Sequence, residues 1–218
     1  GMAPSFLTCN LGKRAITLDL KHAKAKQVVQ RLVATADAVV ENFKPGTIER
    51  LGFGYEALKA IKPDLVYASI SGYGQQGPKS ELPAFDGAIQ ASSGMMSISG
   101  HPESGPTRTG YFSVDMSTAL NAAFAISAAL FRRHLTGEGQ RVDVSMLDTA
   151  VVMQAAQMSN YLVTSTLPEL MGNRSPTKSP TANVFASSDG FVQIVGLREA
   201  HVKDLFKLLG AAELYEKF

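Results

Sequence analysis

Apolar residues at Ala25, Val28, Val29, Leu32, Val33 and Ala36 recur at intervals of three and four. That spacing gives a helix one apolar face. Around it the pattern changes. Ala15–Leu20 alternates and reads as a short strand, and Ala38–Val40 reads as a second one ended by the "ENFKPG" turn. Thr47 can cap a helix through Leu51, and Tyr55–Ile61 is a further helical piece stopped by Pro63. Leu65–Ile70 reads as a continuous apolar strand, as expected in a buried parallel sheet. The order strand, helix, strand, helix, strand predicts an α/β fold with right-handed crossovers.

Residues 72–84 form a Gly/Pro loop before a helix predicted over Asp86–Met96. A loop with Pro102, Gly105 and Pro106 leads to the apolar, β-prone Tyr111–Val114. Asp115–Leu135 is a long Ala-rich helix, Arg141–Val144 a strand, and Leu147–Leu162 helical. Residues 164–183 are rich in Pro, Ser and Thr and suit a linker or lid. "VFASSDGFVQIVG" reads as a hairpin around Asp189-Gly190, and Glu199–Leu209 as an amphipathic helix closed by Gly210. The expected plan is a large α/β domain over 2–163, a linker over 164–183 and the start of a small α+β domain over 184–218.

A hydrophobic content of 45% against 18% charged residues is enough for a packed core. The net charge of +2 is too small to mark a nucleic-acid partner. Lys13, Arg14, Lys21, Lys24, Lys26 and Arg31 nevertheless face only Asp19 in the first stretch. Such a cluster suits a phosphate site as well as a solvated helix face. The single Cys9 excludes an internal disulfide and fits a reducing, cytoplasmic compartment. His22, His101, His134 and His201 are scattered without ligand spacing, so no metal is expected. The apolar run Ala119–Phe131 is shorter than the roughly 20 residues of a membrane span, so no membrane partner is expected.

"GYGQQG" at Gly72–Gly77 matches a dinucleotide-binding spacing after a strand. Pro78 and Pro83 forbid the helix that should follow, so the segment reads as a flexible loop. Attention then falls on acids at element ends. Asp86 and Asp148 each stand near a helix start and read as partners of the helix dipole. Asp115 has two readings. It can cap its helix by accepting from the free N–H groups of the first turn. It can also serve as a nucleophile on an activated acyl group, because a carboxylate with a pKa near about 4 is already ionised at pH 7.

Several stretches together resemble the class III CoA-transferase family, also called CaiB/BaiF. They are "NLGKRAITLDLK", "ADAVVENFKPGTIERLGFGYEALKAIKPDLVYASISGYGQQGP", "FDGAIQASSGMMSISG", "VDMSTAL" and "HLTGEGQRVDVSMLDTA". The resemblance implies a Rossmann-like parallel sheet with flanking helices and an interlocked homodimer. It implies acyl-CoA and a small carboxylic acid as substrates, with no permanently bound cofactor. It makes Asp115 the nucleophile that carries an aspartyl-CoA thioester. It maps CoA contacts onto Leu18, Lys21, Asn42, Phe43 and Arg50. From the residues alone four of these read differently: Leu18 as a core strand residue, Phe43 as a core aromatic, and Lys21 and Arg50 as solvated charges. A non-catalytic CoA-binding or assembly module and an α-methylacyl-CoA racemase-like isomerase are the alternatives. Related racemases carry a His where this chain has Phe85, and the phenyl ring of Phe has no proton to give or take, which favours transferase over racemase. Relatives also begin with a further strand–helix unit and continue past the position of Phe218. The expectation is therefore an incomplete sheet that lacks that first unit.

Overall fold

The computed structural model describes residues 3–215. In chain order come α1 (Pro4–Cys9), α2 (Ala23–Val33), β1 (Ala38–Glu41), α3 (Thr47–Arg50), α4 (Tyr55–Lys59) and β2 (Val66–Ser71). Then follow α5 (Asp86–Ser92), α6 (Met95–Ile98), the short strands β3 (Gly100–His101) and β4 (Gly105–Pro106), and the long α7 (Ser113–Thr136). β5 (Gln140–Ser145), α8 (Met146–Met153), α9 (Ala155–Thr164), β6 (Ala182–Ser187), β7 (Gly190–Val195), α10 (Glu199–Leu208) and α11 (Ala212–Tyr215) complete the order. The fold is mixed α/β, with a parallel sheet and flanking helices. β1 pairs with β2 in parallel, Ala38 opposite Val66 through Glu41 opposite Ser69, in a sheet of order β1-β2-β5.

Two compact units divide the chain: Gly1–Ser71 with Ala122–Asp143, and Gly72–Asn121 with Val144–Phe218. In the first, Val33, Ile48, Phe53, Leu58, Leu65 and Tyr67 form the core. The Tyr67 hydroxyl donates to the Phe53 carbonyl at 3.1 Å inside that core. Tyr67→Phe leaves this carbonyl buried without a partner, which costs about 1–2 kcal/mol. A thermal melt should show Tm lowered by about 2–6 °C, and an unchanged Tm would overturn the assignment. Arg133 on α7 adds a polar tie. It bonds Asp37 Oδ1 at 2.8 Å and lies 3.7 Å from Asp64 Oδ2, at the entrances to β1 and β2. A cation also complements the C-terminal end of a helix.

The second unit packs Ile89, Met95, Val114 and Ala150, with Tyr73, Ala84, Met146 and Leu147 around them. Its loop closes tightly at Gly72, where an added Cβ would collide with the Ala84 side chain. Residues 72–85 hold no helix, so the dinucleotide spacing has no helix N-terminus to act with. The hairpin around Asp189-Gly190 forms as β6 and β7, antiparallel from Ala182 opposite Val195 to Ser187 opposite Gly190.

Several sequence expectations need correction. Ala15–Leu20 is not a strand. Alternation alone does not make a strand without a hydrogen-bonded neighbour, and none pairs with this segment among the described residues. Thr47 is the first residue of α3 rather than its cap; Gly46 precedes it at φ 77°. The helix expected over Asp86–Met96 breaks into α5 and α6 at Gly94, whose φ of 80° is the left-handed conformation that ends helices. The helix expected over Leu147–Leu162 breaks at Gln154, whose side-chain amide donates to Ala150 O at 3.0 Å and Ser93 O at 3.2 Å. α7 also starts earlier and ends later than the apolar run Ala119–Phe131. At 24 residues it is long and apolar enough, by length and composition, to cross a membrane. Met116, Leu120, Phe124, Phe131 and Leu135 are exposed along it.

Candidate active site

Asp115 lies in the first turn of α7, in the second unit. The first N–H groups of a helix need partners from outside its own ladder. Here Ser113 N donates to Tyr111 O at 2.9 Å, while Met116 N already makes the first ladder bond, to Phe112 O at 3.1 Å. Val114 N and Asp115 N both donate to Asp86 Oδ2, at 2.8 and 3.0 Å. The cap is therefore supplied by the first residue of α5, not by Asp115. Asp115 is exposed, and among the described residues its carboxylate accepts no hydrogen bond and makes no ion pair.

Asp86 is held firmly. Gln90, one turn along α5 and fully buried, donates from Nε2 to Asp86 Oδ1 at 2.6 Å. Gln90 Oε1 accepts from Thr109 N at 3.0 Å, which fixes the orientation of the amide. Gln90 Nε2 also reaches the Thr109 hydroxyl at 2.9 Å, and that hydroxyl lies 2.9 Å from Ser113 Oγ. A chain of polar side chains thus ties α5, the segment before α7 and the first turn of α7 together. Sequence reading placed Asp86 only at its own helix dipole. The four-residue spacing of Asp86 and Gln90 was the available signal, since it puts both on one helix face.

The pKa of Asp115 is raised above the ordinary carboxylate range. Partial withdrawal from water is the larger cause, and the nearby charge of Asp86 is the second. A more basic carboxylate that is still ionised near neutrality is a better nucleophile than one bound to several donors.

The five residues mapped as CoA contacts all belong to the first unit. Leu18 is half-buried, while Lys21, Asn42 and Arg50 are exposed. Phe43 is 41% exposed and lines an apolar cavity of about 260 Å³ with Leu20, Leu32, Val40 and Phe53. The cavity wall also includes Glu41, which sequence reading passed over. Glu41 is buried, and its Oε2 accepts from Phe43 N at 2.9 Å, which fixes the turn carrying Asn42 and Phe43. Arg50 donates to the Thr47 hydroxyl at 2.9 Å. The described residues hold no cluster of three or more His, Cys, Asp or Glu able to bind a metal.

Fold and site together define an α/β chain with a carboxylate left exposed and unengaged at the start of a long helix. The chain belongs to CoA-transferase family III, whose profile it matches over residues 1–218. It is 38% identical over 208 residues to a succinate–glutarate CoA-transferase of Agrobacterium fabrum, covering 95% of this chain and 52% of that one. It is 38% identical over 210 residues to an acetyl-CoA:oxalate CoA-transferase of Acetobacter aceti, covering 96% and 54%. The crystal structure of a CaiB/BaiF family protein from Brucella suis superposes with a TM-score of 0.86 at 39% identity, covering 95% of this chain and 55% of that one. The chain thus spans about half the length of the relatives it matches.

Proposed function

We propose that this chain carries the nucleophile of an acyl-CoA:carboxylate CoA-transferase. The observation that carries the reading is the unengaged Asp115 carboxylate at a helix start whose N–H groups are already taken by Asp86. An Asp115 oxygen attacks the thioester carbonyl carbon, the C–S bond breaks, and CoA leaves as a thiolate. The thiolate then attacks the Asp115 carboxyl carbon of the mixed anhydride. The donor leaves as a free carboxylate, and Asp115 holds CoA as a thioester. An acceptor carboxylate repeats the two steps in reverse and takes CoA away. No proton is gained or lost over the cycle, so a second acid or base is not required.

Lys21 and Arg50 suit CoA phosphates. Leu18 and Phe43 suit the apolar parts of its adenine or pantetheine arm, and Asn42 its amides. CoA enters as substrate, with no resident cofactor. The exposed apolar side chains of α7 suit burial against a second copy in a homodimer. In α7 Arg133 is used in ion pairs of the first unit, and Asn121 donates to the Thr149 hydroxyl at 3.0 Å in the second. Both uses favour a packed helix over a membrane span. The low net charge favours no nucleic-acid partner, and the single Cys9 a reducing cytoplasm.

The test is incubation of the full chain with acetyl-CoA or succinyl-CoA, followed by peptide mass spectrometry. A CoA adduct on Asp115, discharged by glutarate or oxalate, is the expected result. CoA binding without an adduct from either donor would sink the transferase reading and leave a binding module.

A further inference from the structure

We propose that Asp86 is a positioning residue of the transfer reaction, acting as a surrogate cap that keeps the Asp115 carboxylate free for attack. The inference rests on the transferase reading above and adds a role within it. Helix-start N–H groups attract the nearest carboxylate, and Asp115 is the acid within their own turn. A carboxylate that accepts two or three such bonds becomes less basic and has its lone pairs occupied. In this chain Asp86 Oδ2 fills both open N–H positions, those of Val114 and Asp115 itself. Asp86 is buried, and its other oxygen accepts from the fully buried Gln90. The cap is therefore fixed from outside α7.

The same bonds settle the geometry of the nucleophile. Asp86 binds the backbone N–H of Asp115, so the Cα of the attacking residue is tied to α5 through one hydrogen bond of 3.0 Å. It does this without touching the carboxylate that must change partners twice per half-reaction. Asp86 would set how fast Asp115 attacks and leave how tightly acyl-CoA binds unaffected. Displacement of a reacting group by about 1 Å can cost a hundredfold in rate.

The experiment compares wild type, Asp86→Asn and Asp115→Ala with succinyl-CoA as donor and glutarate as acceptor, following adduct formation and steady-state transfer. Asp86→Asn keeps an oxygen for the two N–H groups but removes the charge and forces the Gln90 contact to change. Adduct formation and kcat are expected to fall about tenfold to a hundredfold, with KM for succinyl-CoA unchanged within about twofold. A purely structural role would instead lower the amount of folded protein and leave the kcat of the folded fraction intact. Wild-type rates in folded Asp86→Asn would overturn the inference while leaving the transferase reading standing. No adduct in wild type would overturn both. Should Asp86→Asn fail to fold, Gln90→Met serves, because it keeps the Asp86 charge and removes the bond that orients it. Slower adduct formation at unchanged KM supports the proposal, and a wild-type rate overturns it.

Discussion

Replacing Asp115 with Asn is expected to abolish acyl transfer, lowering kcat/KM by at least about a thousandfold and removing the CoA adduct. The amide is nearly the same size, so the loss isolates the nucleophile. The same variant should be slightly more stable at neutral pH. Asp115 holds its proton more tightly in the folded chain than a free carboxyl does, because of desolvation and then Asp86. A raised folded pKa favours the folded state at low pH, and this contribution is lost as pH rises through that pKa. At pH 7 the ionised Asp115 therefore costs stability. Asn removes the cost, so Tm should be higher at pH 7, and the difference should disappear below about pH 4. In wild type, adduct formation should decline as pH drops through the raised pKa, since only the carboxylate attacks. Calorimetry at pH 7 and pH 4, with transfer assays alongside, checks both halves. Retained transfer would refute the nucleophile, and a lower Tm at pH 7 would refute the electrostatic account.

Gly139→Ala is expected to be the most damaging small substitution in the first unit. A Cβ there would strike the backbone of Asp64 and Leu65, just before β2, well inside van der Waals distance. Backbone cannot yield as a flexible side chain can, so overpacking should cost about 3 kcal/mol or more. The chain should express poorly or melt at least about 6 °C lower. Gly110→Ala is the control, because nothing lies within 4 Å of a Cβ at Gly110. Equal melting of the two variants would show that the close approach at Gly139 carries no weight.

The α/β order was legible because α2 carries a helical apolar period, β2 is a continuous apolar run and α7 is a long stretch of small helix formers. Ala15–Leu20 misled because a strand is completed by its neighbour, which periodicity does not contain. The breaks at Gly94 and Gln154 depend on one backbone angle and one side-chain amide, so apolar spacing passes over them. Asp115 was visible as an acid at a helix start. The identity of its cap was not, because Asp86 lies 28 residues before Val114 and the pairing is purely spatial. Leu18, Lys21, Asn42, Phe43 and Arg50 were visible only through resemblance to a family. The exposure of Lys21, Asn42, Phe43 and Arg50 fits a ligand surface and ordinary solvated side chains equally.

The cap on α7 also bears on how the chain folds. A helix start completed by its own sequence can form early and locally. This one is finished only when residues 86–114 have closed into a ring, through a segment containing Pro102, Gly105 and Pro106. That closure must be paid for in chain entropy before the two N–H groups find their acceptor. The cap on the reactive end of α7 is therefore completed by a long-range contact, made only once α5 docks.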